Sequence, residues 1–194
     1  MIINNKYFLS IWLLMSSCGL QAQNISLCED QYQKEDMQDC FACSKNYLKS
    51  NPLDLDAMML IVKCAQSKSE LEFVDKHMRQ QYNEHEELFK EKVNFWITHS
   101  DLLMKLDDPM SASAGYMIAR NIDSNFKGIN YKLALAHFTL YSKENNNNEE
   151  ERSDNAFELT RMLNYINQEL VNNPGDTASL TLQKKVEALM KPLK

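Results

Sequence analysis

Apolar positions fall three and four apart along most of this chain, the spacing that lines up one face of an α-helix rather than alternate faces of a strand. Residues 36–49 set Met37, Cys40, Phe41, Tyr47 and Leu48 at that spacing, and Asn51-Pro52 ends the run, because proline cannot continue a helix. A second helix is expected from about Asp54, with Leu55, Met58, Met59, Val62 and Ala65 on its stripe, so the two make a hairpin. Ser69 and Glu72 have capping-box spacing and predict a third helix through Phe73 and Met78 to about Tyr82. A longer fourth helix carries Phe89, Val93, Trp96, Ile97, Leu103 and Met104 on one face. Asp108 followed by Pro109 predicts the N-cap and first residue of a fifth, which runs through Tyr116, Met117 and Ile118. Beyond a turn at Gly128, a sixth helix presents Tyr131, Ala134, Leu135, Phe138 and Tyr141. Residues 143–152, KENNNNEEER, hold no apolar side chain and predict a solvated, mobile loop. Ala156, Leu159, Leu163, Ile166 and Leu170 then stripe a seventh helix, and Leu180, Leu182, Val186 and Leu189 an eighth. The pattern is all-α, with about eight helices in antiparallel hairpins forming a single helical-repeat domain over 23–194.

Composition agrees with the periodicity. Only four Gly and four Pro punctuate 194 residues, so helix-forming residues have long uninterrupted runs. Net charge of −6, with acids interleaved among bases, argues against a surface that tracks nucleic-acid phosphates.

Residues 1–22, MIINNKYFLSIWLLMSSCGLQA, depart from the helical pattern. One Lys at position 6 precedes an apolar run from Tyr7 to Met15, followed by small and polar residues. That is the layout of a secretory signal peptide, and the run is too short to span a bilayer. Export follows, to the periplasm or the periplasmic face of an outer membrane. Two processing routes remain open: MSSC resembles a bacterial lipobox, which would remove 1–17 and make Cys18 a lipidated residue and the sole membrane anchor. LQAQ resembles a signal peptidase I site after Ala22.

Either route takes Cys18 out of the count and leaves Cys28, Cys40, Cys43 and Cys64. An even set in an oxidising compartment reads as two disulfides. If the hairpin turns near Pro52, residues equidistant from it lie level on antiparallel helices, and Cys40 and Cys64 are each twelve residues away. The expected pairs are therefore Cys40 with Cys64 and Cys28 with Cys43. A metal reading is weaker, because the two-residue Cys spacing occurs once where zinc sites show it twice. A redox reading needs Cys40 and Cys43 at a helix N-terminus after a strand, and here they lie inside a helix.

Two junctions are alike, YLKSNPLDLDAMML at 47–60 and ELVNNPGDTASLTL at 169–182. In both, Pro ends a helix, Asp two residues later caps the next, and a small residue at 57 or 179 admits close packing. In these features the chain resembles the tetratricopeptide repeat (TPR) family. The resemblance implies stacked helical hairpins with a concave groove that binds peptides or partner proteins. The junctions lie 122 residues apart, which is not a multiple of the family's 34-residue period, so irregular repeats or a helical bundle are both compatible.

No catalytic, cofactor or metal constellation stands out. HEELF at His85 lacks the second His of a zinc-protease helix, and His77, His99 and His137 fall on separate helices. Most aromatic residues sit at core spacing; Phe95 and Tyr131 fall off the main stripes and are the candidates for lining a groove. The expected role is a non-enzymatic protein–protein adaptor or assembly factor in the bacterial cell envelope. The alternative is an inhibitor or immunity-type protein that binds an enzyme of the same compartment.

Overall fold

The computed structural model describes residues 24–145 and 156–190. Residues 1–22 and Cys18, with their expected export signal and lipidation, lie outside the described residues, as does 146–152 of the expected loop. Ten α-helices are present among the described residues. They are α1 (Ile25–Gln33), α2 (Met37–Ser50), α3 (Leu55–Cys64), α4 (Lys68–Glu84) and α5 (Glu86–Phe89). Then follow α6 (Val93–Lys105), α7 (Pro109–Ile122), α8 (Ile129–Asn145), α9 (Ala156–Asn172) and α10 (Thr177–Met190). No described residue forms a strand.

Four local readings change. First, α1 occupies the polar start of the chain. It closes on Glu35 at φ 60°, a left-handed turn made without glycine, so no Gly or Pro marks its end in the sequence. Second, the capping box lies two residues earlier than Ser69 and Glu72. Glu70 Oε2 accepts the Ser67 and Gln66 amides at 2.9 Å, and Ser67 Oγ accepts the Glu70 amide at 3.3 Å. Those amides hold the Glu70 carboxyl below its usual range. Third, the long fourth helix is two elements, because the chain turns at 90–92, where the Lys92 amide donates to Phe89 O at 2.9 Å. Fourth, residues 143–145 of the expected loop belong to the last turn of α8.

Both Asn-Pro junctions close in the same way. The Asn51 amide donates to Tyr47 O at 3.1 Å and the Asn173 amide to Glu169 O at 2.8 Å. The Asp54 and Asp176 amides then donate back to Asn51 O and Asn173 O at 3.2 and 3.1 Å. Each Asp accepts the amide three residues on, Asp54 from Ala57 at 3.0 Å and Asp176 from Ser179 at 2.9 Å. Ala57 and Ser179 are both fully buried, so the position demands a small side chain.

Where the sequence suggests one repeat domain over 23–194, the described residues divide between Glu70 and Leu71 into two compact units. In the first, α1, α2 and α3 all pack on one another. The sulfurs of Cys28 and Cys43 lie at bonding distance with Cα atoms 5.4 Å apart, and those of Cys40 and Cys64 likewise with Cα atoms 5.9 Å apart. Leu48, Ala57, Met58 and Ile61 supply apolar burial.

In the second unit each helix from α6 to α10 packs on the next, and α8 also touches α10. Ile97, Leu103, Ala112, Tyr116, Ile129 and Leu133 belong to one core cluster, and Ala134, Tyr141, Leu159, Met162, Ile166 and Val186 to another. Helix α8 supplies both clusters, which is why it lacks a single apolar stripe. Polar links tie the same helices: Asp101 Oδ1 accepts Tyr116 Oη at 2.5 Å and Lys132 Nζ at 2.6 Å. The α6–α7 crossing is close enough that a Cβ built on Gly115 would collide with Ser100 Oγ.

Candidate docking groove

Phe95 and Tyr131, the two expected groove residues, have different fates. Phe95 is 1% exposed and lines no groove. Its ring lies 4.7 Å from Phe89, 5.8 Å from Tyr82 and 5.6 Å from Trp96, centroid to centroid. The break at 90–92 explains the correction. On a continuous helix Phe89 and Phe95 would stand about 120° apart, whereas the turn between α5 and α6 brings the rings together at an interplanar angle of 30°.

Tyr131 is half-buried and opens onto two adjoining clefts of about 610 and 280 Å³. The larger is walled by the α7–α8 turn, with Lys127 and Gly128, and by the α9–α10 junction from Asn172 to Asp176. The smaller runs on between α8, with Tyr131, Leu135 and Phe138, and α10, with Thr181 and Lys185. These three α8 side chains sit on the rim of the core and remain partly exposed. They follow from α8 packing on α7, α9 and α10 at once: Ile129, Leu133 and Ala134 turn inward, and the remaining apolar side is left over the cleft.

Glu169 builds the larger cleft. Its carboxylate is 3% exposed, and Oε1 accepts the Gly128 amide at 3.1 Å and Asn173 Nδ2 at 2.6 Å. Gly128 has φ 84°, a conformation glycine adopts without steric cost. The corresponding position of the first junction holds Tyr47, whose hydroxyl donates to Asp54 Oδ2 at 2.9 Å. One junction thus closes on itself, while the other reaches out to clamp a neighbouring turn. Asp176 Oδ2 accepts both the amide and the hydroxyl of Ser179. Those bonds, helped by Lys127, hold its carboxyl below the usual range.

Among the described residues no group of three or more His, Cys, Asp or Glu is placed to hold a metal ion. His99 Nε2 donates to Asp75 Oδ1 at 2.7 Å beneath the aromatic cluster, and His137 lies 3.3 Å from Ser113 Oγ and stacks on Tyr165. Sequence reasoning missed Glu169, Lys127 and Lys185. The available signal for Glu169 was a carboxylate at the register of Tyr47 in the matching junction.

The second unit stacks helix on successive helix with a next-but-one contact, the construction of a repeat array. Across the chain the architecture is similar to a solved structure of the MamA protein, at 11% identity, 85% coverage of each chain and a TM-score of 0.58. The fold is tetratricopeptide-like. A second solved structure, of a thermophilic TPR protein from Thermus thermophilus, aligns at 13% identity over 86% of this chain and 96% of that one, with a TM-score of 0.49. No family model matches the chain, and no curated protein matches it. Within this fold, the α8–α10 groove is a concave surface lined by partly exposed apolar side chains.

Proposed function

We propose that the chain is a non-enzymatic docking protein, an adaptor or assembly factor, that holds a segment of a protein partner in the α8–α10 groove. The observation that carries this reading is the row of Tyr131, Leu135 and Phe138, half-buried at the rim of the core and lining a cleft between α8 and α10. Apolar side chains left open along a cleft bind by excluding water, and neighbouring polar groups set orientation. The site of action in this reading is the bacterial cell envelope, with residues 1–22 as the export signal and Cys18 either removed or lipidated. Two cysteine pairs at bonding distance support an oxidising compartment. No helix among the described residues is long and apolar enough to cross a membrane.

A photo-crosslinking amino acid at position 131, compared with one at exposed Glu29, tests the docking reading in cells. A discrete protein adduct is expected from position 131 alone; the same adducts from both positions, or none from 131, would sink it. Non-reducing peptide mass spectrometry of the purified chain tests the compartment. Linked peptides joining Cys28 to Cys43 and Cys40 to Cys64 are expected, and free thiols at these four positions would remove the support that the cysteine pairs give to export. Each bridge closes a loop whose constraint on the unfolded chain is worth about 3 kcal/mol.

A further inference from the structure

The two cysteine pairs of the first unit are held unequally. Cys40 and Cys64 are 0% and 1% exposed and join α2 to α3. Those two helices also bury Leu48, Met58, Ile61 and Val62, and the Tyr47 hydroxyl donates to Asp54 across the turn between them. Cys28 and Cys43 join α1 to α2, and of the four cysteines Cys43 alone is partly exposed. Helix α1 has much less to hold it. Cys28 is its one buried residue, Leu27 is 47% exposed, and Ile25, Gln31 and Tyr32 are only partly covered. Its contact with α3 includes Tyr32, over whose ring Lys63 Nζ lies 6.0 Å from the centroid. A helix this short is marginal in water by itself, so its order depends on what fastens it.

Resting on the pairing of these four cysteines, we infer that Cys28–Cys43 is a site of thiol–disulfide exchange with an external dithiol, whose action releases α1 while the α2–α3 hairpin stays closed. A thiolate of the dithiol attacks Cys43 Sγ, the bond to Cys28 breaks, and Cys28 leaves as a thiolate that takes up a proton. The second thiol of the reductant then attacks its partner sulfur in the mixed disulfide. Cys43 is freed as a thiol, the reductant closes to its own disulfide, and two electrons have passed from dithiol to cystine. Cys40 and Cys64 escape the same attack because both are buried, and baring either requires the hairpin to open. Without its covalent tie, α1 opens locally, at a cost below that of unfolding the unit. Its release bares the surface of α2 and α3 on which it packs.

Titration of the full oxidised chain with dithiothreitol in the absence of denaturant tests this, with an iodoacetamide quench and peptide mass spectrometry as the readout. Cys28 and Cys43 are expected to become labelled together, at least about tenfold faster than Cys40 and Cys64. Hydrogen exchange on the protein so reduced should show the α1 amides at least about tenfold less protected, with those of α2 and α3 unchanged. The double variant Cys28→Ala/Cys43→Ala should give the same exchange pattern with no reductant present. Equal labelling of the two pairs, earlier labelling of Cys40 and Cys64, or α1 amides that stay protected after reduction would overturn this inference and leave the pairing standing. Free thiols at the four positions before any reductant is added, or links between other cysteines, would overturn both.

Discussion

Glu169 on α9 accepts the backbone amide of Gly128 at 3.1 Å across 41 residues of sequence. A carboxylate removed from water is costly unless donors replace its hydration, and here one backbone and one side-chain donor do so. The bond joins the turn before α8 to the junction after α9, so it sets the width of the cleft over which Tyr131 lies.

Replacing Glu169 tests that clamp. Glu169→Ala strips the acceptor from the Gly128 amide and from Asn173, and is expected to destabilise by about 2–3 kcal/mol. Glu169→Gln keeps one acceptor oxygen and is expected to cost about half as much. Urea unfolding followed by circular dichroism measures both; midpoints equal to wild type would show that the clamp contributes nothing.

Gly115 and Ser100 form a second coupled pair, at the α6–α7 crossing. Gly115→Ala places a Cβ against Ser100 Oγ and is expected to destabilise by about 1–3 kcal/mol. Ser100 Oγ is buried and without a hydrogen-bond partner among the described residues, so Ser100→Ala should be neutral or slightly stabilising. The double variant should recover part of the loss. A double-mutant cycle reads the coupling directly, and strictly additive effects would refute the contact.

Acid should weaken the second unit before it reaches the carboxylate range. Burial pushes the His99 imidazole below its ordinary value despite the pull of Asp75, and burial likewise lowers His137 against the pull of Glu158. Both groups take up protons more readily in the unfolded chain, where histidine titrates near pH 6.5. Their contribution is complete above that pH and is lost as pH falls through the lower folded values. Urea midpoints at pH 7.5 and 5.5 should fall for wild type, and fall less for His99→Gln, whose amide can still donate to Asp75. A wild-type midpoint that is flat or rises toward pH 5.5 would contradict the assignment.

Legibility in the sequence tracked how local the deciding physics was. The Asn-Pro junctions were readable because proline stops a helix and aspartate caps one within a few residues, and both junctions close with the same hydrogen bonds. Helix α1 was not readable because Glu35 makes its turn in the left-handed region without glycine. Phe95 was misplaced because its phase was counted through a helix that breaks at 90–92.

By itself, then, the sequence determined an all-helical chain, most of its helix starts and stops, and the two matching junctions, since caps, proline and 3.6-residue periodicity act between near neighbours. Tertiary structure alone decided which apolar residues stay open. Tyr131, Leu135 and Phe138 belong to a helix that is apolar on several sides, and only the placement of α7, α9 and α10 around it separates core from groove. It also decided how the groove is held, because Glu169 accepts from a glycine amide 41 residues away, a partner that no spacing rule joins.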